Sequence, residues 1–135
     1  MPVNDKKEVW SKKILFCFGF AYMWSFGASF KTSVSRQLDN MMREFFSRLQ
    51  IPTADTVYEY YFNEKEMRFL HWNKIVPAFQ YDPKLPFFSL LVPTVDTVRY
   101  STLLEMLVSI NKPVFFTGNT GVGKSIIIQK YITLN

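Results

Sequence analysis

Cysteine and histidine are nearly missing from this chain: among its 135 residues there is one of each, Cys17 and His71. A single thiol excludes a disulfide within the chain. Two such residues also leave too few parts for a Cys/His zinc site or for a Ser-His-Asp or Cys-His catalytic triad. A lone thiol suits a reducing compartment. His71, between Leu70 and Trp72, is expected to be a packed or edge histidine. Internal repeats and low-complexity segments are absent as well.

A block of one charge sign is also lacking. The net charge is +5, yet the densest basic cluster, Lys6, Lys7, Lys12 and Lys13, is offset by Asp5 and Glu8. No basic stripe interleaves with the aromatics, so nucleic-acid binding is not expected. Charge is missing altogether from residues 14 to 30, an uncharged run of seventeen residues at the lower edge of a membrane span. Against insertion, Gly19, Ser25, Gly27 and Ser29 weaken the run, and Asp5 and Glu8 dilute the basic stretch before it. The expectation is a buried helix over 14–30, packed on a second helix, with Trp24 and Phe45 or Phe46 largely buried.

What is present is apolar and aromatic. Hydrophobic residues make up 48% of the chain and aromatics 18%, which argues for a well-buried globular piece over disorder. Val34, Leu38, Met41, Met42, Phe45, Phe46 and Leu49 recur on one face of a helix over 34–49. Ser33 is its expected N-cap, Asp39–Arg43 and Glu44–Arg48 are acid-first i,i+4 pairs on its wet side, and Pro52 closes it. From Thr56 the period changes. Residues 56–62 and 67–72 are β-prone runs separated by Asn63-Glu64-Lys65-Glu66, which predicts a β-hairpin. Stacked aromatics on such a sheet could serve single-stranded nucleic acid, but Glu59, Glu64 and Glu66 would repel a phosphate backbone.

Pro77, Pro83, Pro86 and Pro93 punctuate a connector, with Phe87 to Val92 a short strand or extended arm. A helix is expected next, capped by Asp96, with Leu103, Leu104, Leu107 and Ile110 facing inward. Asn111 and Pro113 are its stop signals.

The most specific pattern is Gly118-Asn119-Thr120-Gly121-Val122-Gly123-Lys124-Ser125, which fits G-x-x-x-x-G-K-[ST], the phosphate-binding loop of nucleoside triphosphatases. Chance produces it in roughly one chain in 200 of this size. A polyphosphate needs several backbone N–H groups aimed into one small cavity, and glycines at 118, 121 and 123 permit the backbone angles this takes. Lys124 is placed to reach the β- and γ-phosphates, and the Ser125 hydroxyl to join the Mg²⁺ shell. Without a phosphate, Lys124 is expected to be solvated. Val114 to Thr117 reads as a buried strand before the loop, and Ser125 to Tyr131 as a helix whose N-terminal dipole faces the phosphates.

Upstream, Val92-Pro93-Thr94-Val95-Asp96-Thr97-Val98-Arg99-Tyr100 followed by Leu103-Leu104 resembles the segment that enters the third AAA+ module of dynein heavy chains. The spelling of the loop is closer to the axonemal dyneins than to the cytoplasmic one. Residues 14–91 are similar to the end of the second module, Trp24-Ser25-Phe26-Gly27 included. The resemblance implies an α/β AAA+ P-loop fragment: residues 1–84, helices and a β-hairpin, end one module, and residues 85–135 open the next with its first strand, loop and helix. It implies ATP and Mg²⁺ as ligands, with Val92 and Pro93 over the adenine, although strand-end packing accounts for that pair equally well. Asp96 and Arg99 are read as a helix cap and a surface charge. The implied parent is an ATP-driven microtubule motor of cytoplasm, cytoskeleton and ciliary axoneme. Its partners would be its other AAA+ modules, microtubules, and intermediate and light chains. Only ten residues follow Ser125, too few for the strand carrying the Mg²⁺-ordering and water-activating acids, so the chain alone is not expected to be catalytic. The alternatives are another P-loop NTPase, or a membrane-anchored protein with a chance loop match.

Overall fold

The computed structural model describes residues 3–30, 35–81, 83–84 and 92–134. It divides into two compact units, residues 1–71 and 72–135.

The first unit is built on helix α1 (Val3–Ser25), which begins well before the uncharged run and takes in the charged residues ahead of it. Phe16, Phe20 and Met23, spaced i, i+4, i+7, are buried on one face. Among the described residues, no helix is long and apolar enough to cross a membrane. A 3₁₀ turn at Gly27–Ser29 follows. A Cβ at Gly27 would lie 2.4 Å from the Tyr58 hydroxyl oxygen, so only glycine admits that ring.

Helix α2 (Ser35–Phe45) is shorter than the 34–49 expected, and a separate 3₁₀ turn, Ser47–Leu49, follows it after Phe46 leaves the helical conformation with φ -105° and ψ 37°. Leu38, Met42, Phe46 and Leu49 are buried, whereas Met41 is exposed and Phe45 is 74% exposed. The buried stripe is therefore narrower than the apolar one. Phe46 and Leu49, from the turn after α2, meet α1: a Cβ at Gly19 would fall 2.3 Å from Leu49 Cδ1. Phe46 is buried as expected, but Trp24 is only half-buried, edge-on to Tyr58 at 5.7 Å between ring centroids. The expected cap Ser33 lies outside the described residues, and Arg48 sits in the 3₁₀ turn, off the α2 helix that carries Glu44.

Arg43 ties the following loop to α2. It donates to Asp39 at 2.8 Å and to the carbonyls of Ile51, Pro52 and Asp55 at 3.0, 2.7 and 2.5 Å. Asp39 Oδ1 accepts the Val57 amide at 2.6 Å. That amide is thereby withdrawn from any sheet ladder, and Val57–Glu59 forms a 3₁₀ turn where a strand was expected. The hairpin proper is β1 (Tyr60–Asn63) antiparallel to β2 (Arg68–His71), with Tyr60 opposite His71 and Asn63 opposite Arg68. Asn63 Oδ1 accepts from the amides of Lys65 and Glu66 at 3.0 and 3.1 Å, which shapes the turn. Phe62 and Phe69 stand over Phe16 of α1 at 5.0 and 5.6 Å between centroids.

The second unit opens with a 3₁₀ turn, Trp72–Ile75, whose Trp72 is fully buried. The arm expected at 87–92 lies outside the described residues except for Val92. Helix α3 (Val95–Ser109) is capped by Thr94, not by Asp96. Thr94 Oγ1 accepts from the Thr97 amide at 3.2 Å while Thr97 Oγ1 accepts from the Thr94 amide at 2.8 Å, a reciprocal box built from two threonines. Asp96 lies in the first turn and accepts from Arg99 at 2.5 Å. Arg99 is not a surface charge: it is 8% exposed. The C-terminal end behaves as the stop signals imply. Asn111 adopts a left-handed φ of 57°, its amide reaches Val108 O at 2.8 Å, and that of Lys112 reaches Leu107 O at 3.0 Å. This is a Schellman closure with asparagine in the glycine position. Leu104 faces inward, but Leu107 and Ile110 are exposed.

Candidate nucleotide-binding site

The chain from Pro113 reaches the loop without forming the expected strand at 114–117, for among the described residues nothing pairs with it. Its side chains nevertheless alternate as a strand's do. Val114 and Phe116 turn inward, and Phe115 is 88% exposed. The sequence carries the β pattern, but a ladder needs a neighbour to hydrogen-bond. Leu104, Val108, Val114, Phe116, Ile128 and Tyr131 line a hollow of about 500 Å³ beside this segment.

Residues 118–123 then form a loop of turns and bends, and helix α4 (Lys124–Leu134) starts at Lys124. Gly118, Gly121 and Gly123 have φ of 143°, 84° and 83°, conformations that L side chains rarely adopt. A Cβ at Gly121 or Gly123 would meet nothing within 4 Å. Backbone geometry therefore demands these glycines, and the space before them is open to a ligand. Ile127 donates to Gly123 O at 3.2 Å, so the earlier N–H groups at the head of α4 face the loop mouth with no helical acceptor. Ser125, second in α4, is exposed there, and Ile127 anchors the helix by its buried side chain.

Lys124 departs from expectation. It is not simply solvated: Nζ donates to Gly118 O at 3.0 Å and to Asn119 O at 2.6 Å. Asn119, Thr120 and Val122 are exposed on the loop, so its side chains form no wall and its backbone does the shaping. Gly118, Asn119, Thr120, Gly121, Val122, Gly123, Lys124 and Ser125 run in order from the loop into the first turn of α4. Val92, exposed, and Pro93, half-buried, lie at the entrance to α3. The donor set suits a polyphosphate with its cation: backbone N–H groups at positive-φ glycines, one ammonium and one hydroxyl. The Thr94–Thr97 box was the feature missed in the sequence. Its trace was a threonine three residues before another threonine, where the familiar pattern has Glu or Gln.

Loop, lysine and helix together have the form of a phosphate loop. Residues 79–135 match the family model of the P-loop containing dynein motor region, and residues 3–74 match that of the dynein heavy chain AAA lid domain. The chain belongs to the dynein heavy chain family. It is 37% identical over 132 residues to human dynein axonemal heavy chain 6 and 36% identical over 126 residues to mouse dynein axonemal heavy chain 2, with 94% and 93% of the chain covered. It is 33% identical over 116 residues to the flagellar outer arm dynein alpha chain of Chlamydomonas reinhardtii, with 83% covered. The chain spans 3% of the length of each of these relatives. AAA+ P-loop domains as a family bind ATP with Mg²⁺.

Proposed function

We propose that this chain is the ATP-binding segment of an axonemal dynein heavy chain, with residues 1–84 ending one AAA+ module and residues 85–135 opening the next. The observation that carries the reading is the loop of three positive-φ glycines delivering Lys124 and Ser125 to the head of α4. Backbone N–H groups of 119–125 bind the phosphates, Lys124 neutralises them, and the Ser125 hydroxyl ligates Mg²⁺. Val92 and Pro93 contact the adenine; Val92, just ahead of the Thr94 cap of α3, is 53% exposed and so is available to a base. Bound ATP supplies a phosphoryl group and Mg²⁺ the charge that screens it, while the residues of this chain bind and orient.

Orientation of the attacking water and the arginine that meets the developing charge belong to other parts of the parent motor. That motor acts on microtubules in the axoneme together with its other AAA+ modules and its intermediate and light chains. The axonemal, ciliary and flagellar names of the relatives support this placement.

Calorimetry with Mg·ATP and phosphate-release assays test the reading, on the 135-residue chain and on a longer chain spanning the whole module. The longer chain is expected to bind ATP and to lose binding on Lys124→Ala; the short one is expected to show no turnover. Steady hydrolysis by the 135-residue chain, abolished by Lys124→Ala, would overturn the assignment of roles.

A further inference from the structure

The arm that enters α3 has little packing to hold it. Val92 is exposed, Pro93 half-buried and Thr94 exposed. Among the described residues, no backbone–backbone hydrogen bond outside the helices and strands involves Val92 or Pro93. The direction of the arm is therefore set from the helix it joins. Part of it is stiff by sequence, since the ring of Pro93 fixes its own φ and a residue ahead of proline is confined to extended conformations. The soft points that remain are ψ of Pro93 and the backbone of Thr94.

Thr97 grips Thr94 on both sides. Its hydroxyl oxygen accepts from the Thr94 amide at 2.8 Å and donates its proton to the Thr94 carbonyl at 2.9 Å. The Thr94 hydroxyl donates to the same oxygen at 3.3 Å, so the Thr97 hydroxyl has its donor and both acceptor positions in use. Thr94 is held at φ -126° and ψ 167°. A glutamate in place of Thr97, the usual partner in a capping box, would take the amide alone, because a carboxylate has no proton for the carbonyl. That carbonyl already accepts from the Val98 amide at 3.1 Å, so the bond from Thr97 is surplus to capping the helix.

We propose that Thr97 is a positioning residue for base recognition: by locking both polar groups of the Thr94 backbone, it fixes the direction in which Val92 and Pro93 meet the adenine. This role rests on the reading of Val92 and Pro93 as base contacts and adds what holds them in place. An arm set in advance gives up less freedom when the base arrives.

Calorimetry on the longer chain spanning the whole module compares Mg·ATP with Mg·tripolyphosphate, which offers the loop its phosphates but the arm no base. Thr97→Val keeps the shape of the side chain and deletes the hydroxyl. It is expected to weaken Mg·ATP binding about tenfold, equivalent to ordering roughly one residue's backbone anew, and to leave Mg·tripolyphosphate within about twofold of wild type. Thr97→Ser, which keeps the hydroxyl, is expected to bind Mg·ATP as wild type does. Thr94→Val loses the acceptor for the Thr97 amide but keeps the grip on its own backbone. It is expected to lower the melting temperature with the ratio of the two affinities unchanged. A shift of that ratio as large as the one in Thr97→Val would mean that capping alone is at work, and would overturn the proposal. Should Thr97→Val fail to fold, the wild-type 135-residue chain decides. Its Thr94 amide is expected to be protected from hydrogen exchange, and free exchange overturns the grip. A wild type that binds the two ligands equally well sinks the reading of Val92 and Pro93 as base contacts, and the role of Thr97 with it. A preference for Mg·ATP that survives intact in Thr97→Val sinks the role of Thr97 alone.

Discussion

Gly27 shows at the scale of a residue how a missing side chain sets a packing arrangement. Tyr58 occupies the space its Cβ would take, with Met42 Cε 3.3 Å from the same point. Gly27→Ala is expected to destabilise the first unit by about 1–3 kcal/mol, the usual cost of overpacking. Because the hydroxyl is the nearest atom, Tyr58→Phe in the same chain is expected to recover part of the loss. Denaturant unfolding of the two single variants and the double variant measures this, and strict additivity would refute it. Burial pushes the Tyr58 hydroxyl above its ordinary pKa of 10.0, and the charge of Asp39 adds to the effect. A group whose pKa is raised by folding contributes stability that is whole below the unfolded pKa and lost as pH rises through the folded one. Wild type is therefore expected to lose more stability than Tyr58→Phe between pH 9 and pH values above 10. Equal losses in unfolding midpoint would show that the phenol is not held neutral by the fold.

Among the elements, the loop between α2 and the hairpin depends on Arg43. Its guanidinium reaches the carbonyls of Ile51, Pro52 and Asp55 together with Asp39. Charged hydrogen bonds of this kind contribute about 1.5–3 kcal/mol each when broken singly. Arg43→Ala is expected to destabilise the first unit by at least that much and to speed exchange of the Val57 amide. Arg43→Lys is expected to restore little, because a point ammonium cannot span the fork. Full recovery by lysine would mean that charge alone suffices. In α3 the threonine box makes a smaller claim: Thr94→Ala is expected to cost about 1 kcal/mol, read as a lower melting temperature of the second unit, with Asp96→Ala costing less. Asp39–Arg43 was legible as an i,i+4 pair, but the carbonyls that Arg43 also gathers were not. They lie eight to twelve residues further along a loop whose path no periodicity encodes.

For the whole chain the telling feature is α1, which is apolar on two sides. Phe16, Phe20 and Met23 are buried, while Trp10, Ile14 and Phe18 on the opposite side are 60%, 64% and 56% exposed. A helix that exposes a second apolar side presents a surface suited to cover by another element, in keeping with a chain that spans 3% of the length of its relatives. The 135-residue chain is accordingly expected to self-associate at micromolar concentrations. Ile14→Glu is expected to make it monomeric with less than about 0.5 kcal/mol change in stability, as surface substitutions generally behave. Sedimentation velocity across a concentration series checks this, and a wild type that stays monomeric throughout would contradict it.

Features set within a few residues could be read from the sequence alone. The phosphate loop is one, since its glycine spacing is itself the backbone requirement, and all three glycines have positive φ. The left-handed Asn111 with Pro113 behind it is another, and so is the hairpin, whose turn is held by Asn63 two and three residues ahead of the amides it accepts. Tertiary structure decided what depends on the neighbour opposite. It chose which apolar face of α1 is buried, left Met41 and Phe45 outside a stripe that looked continuous, and took Arg99 inward. It also left 114–117 without a ladder despite β-forming residues. The physical reason is one of range. A dihedral or a cap is satisfied by its own segment, whereas burial and strand pairing are properties of two surfaces, and a linear pattern specifies only one of them.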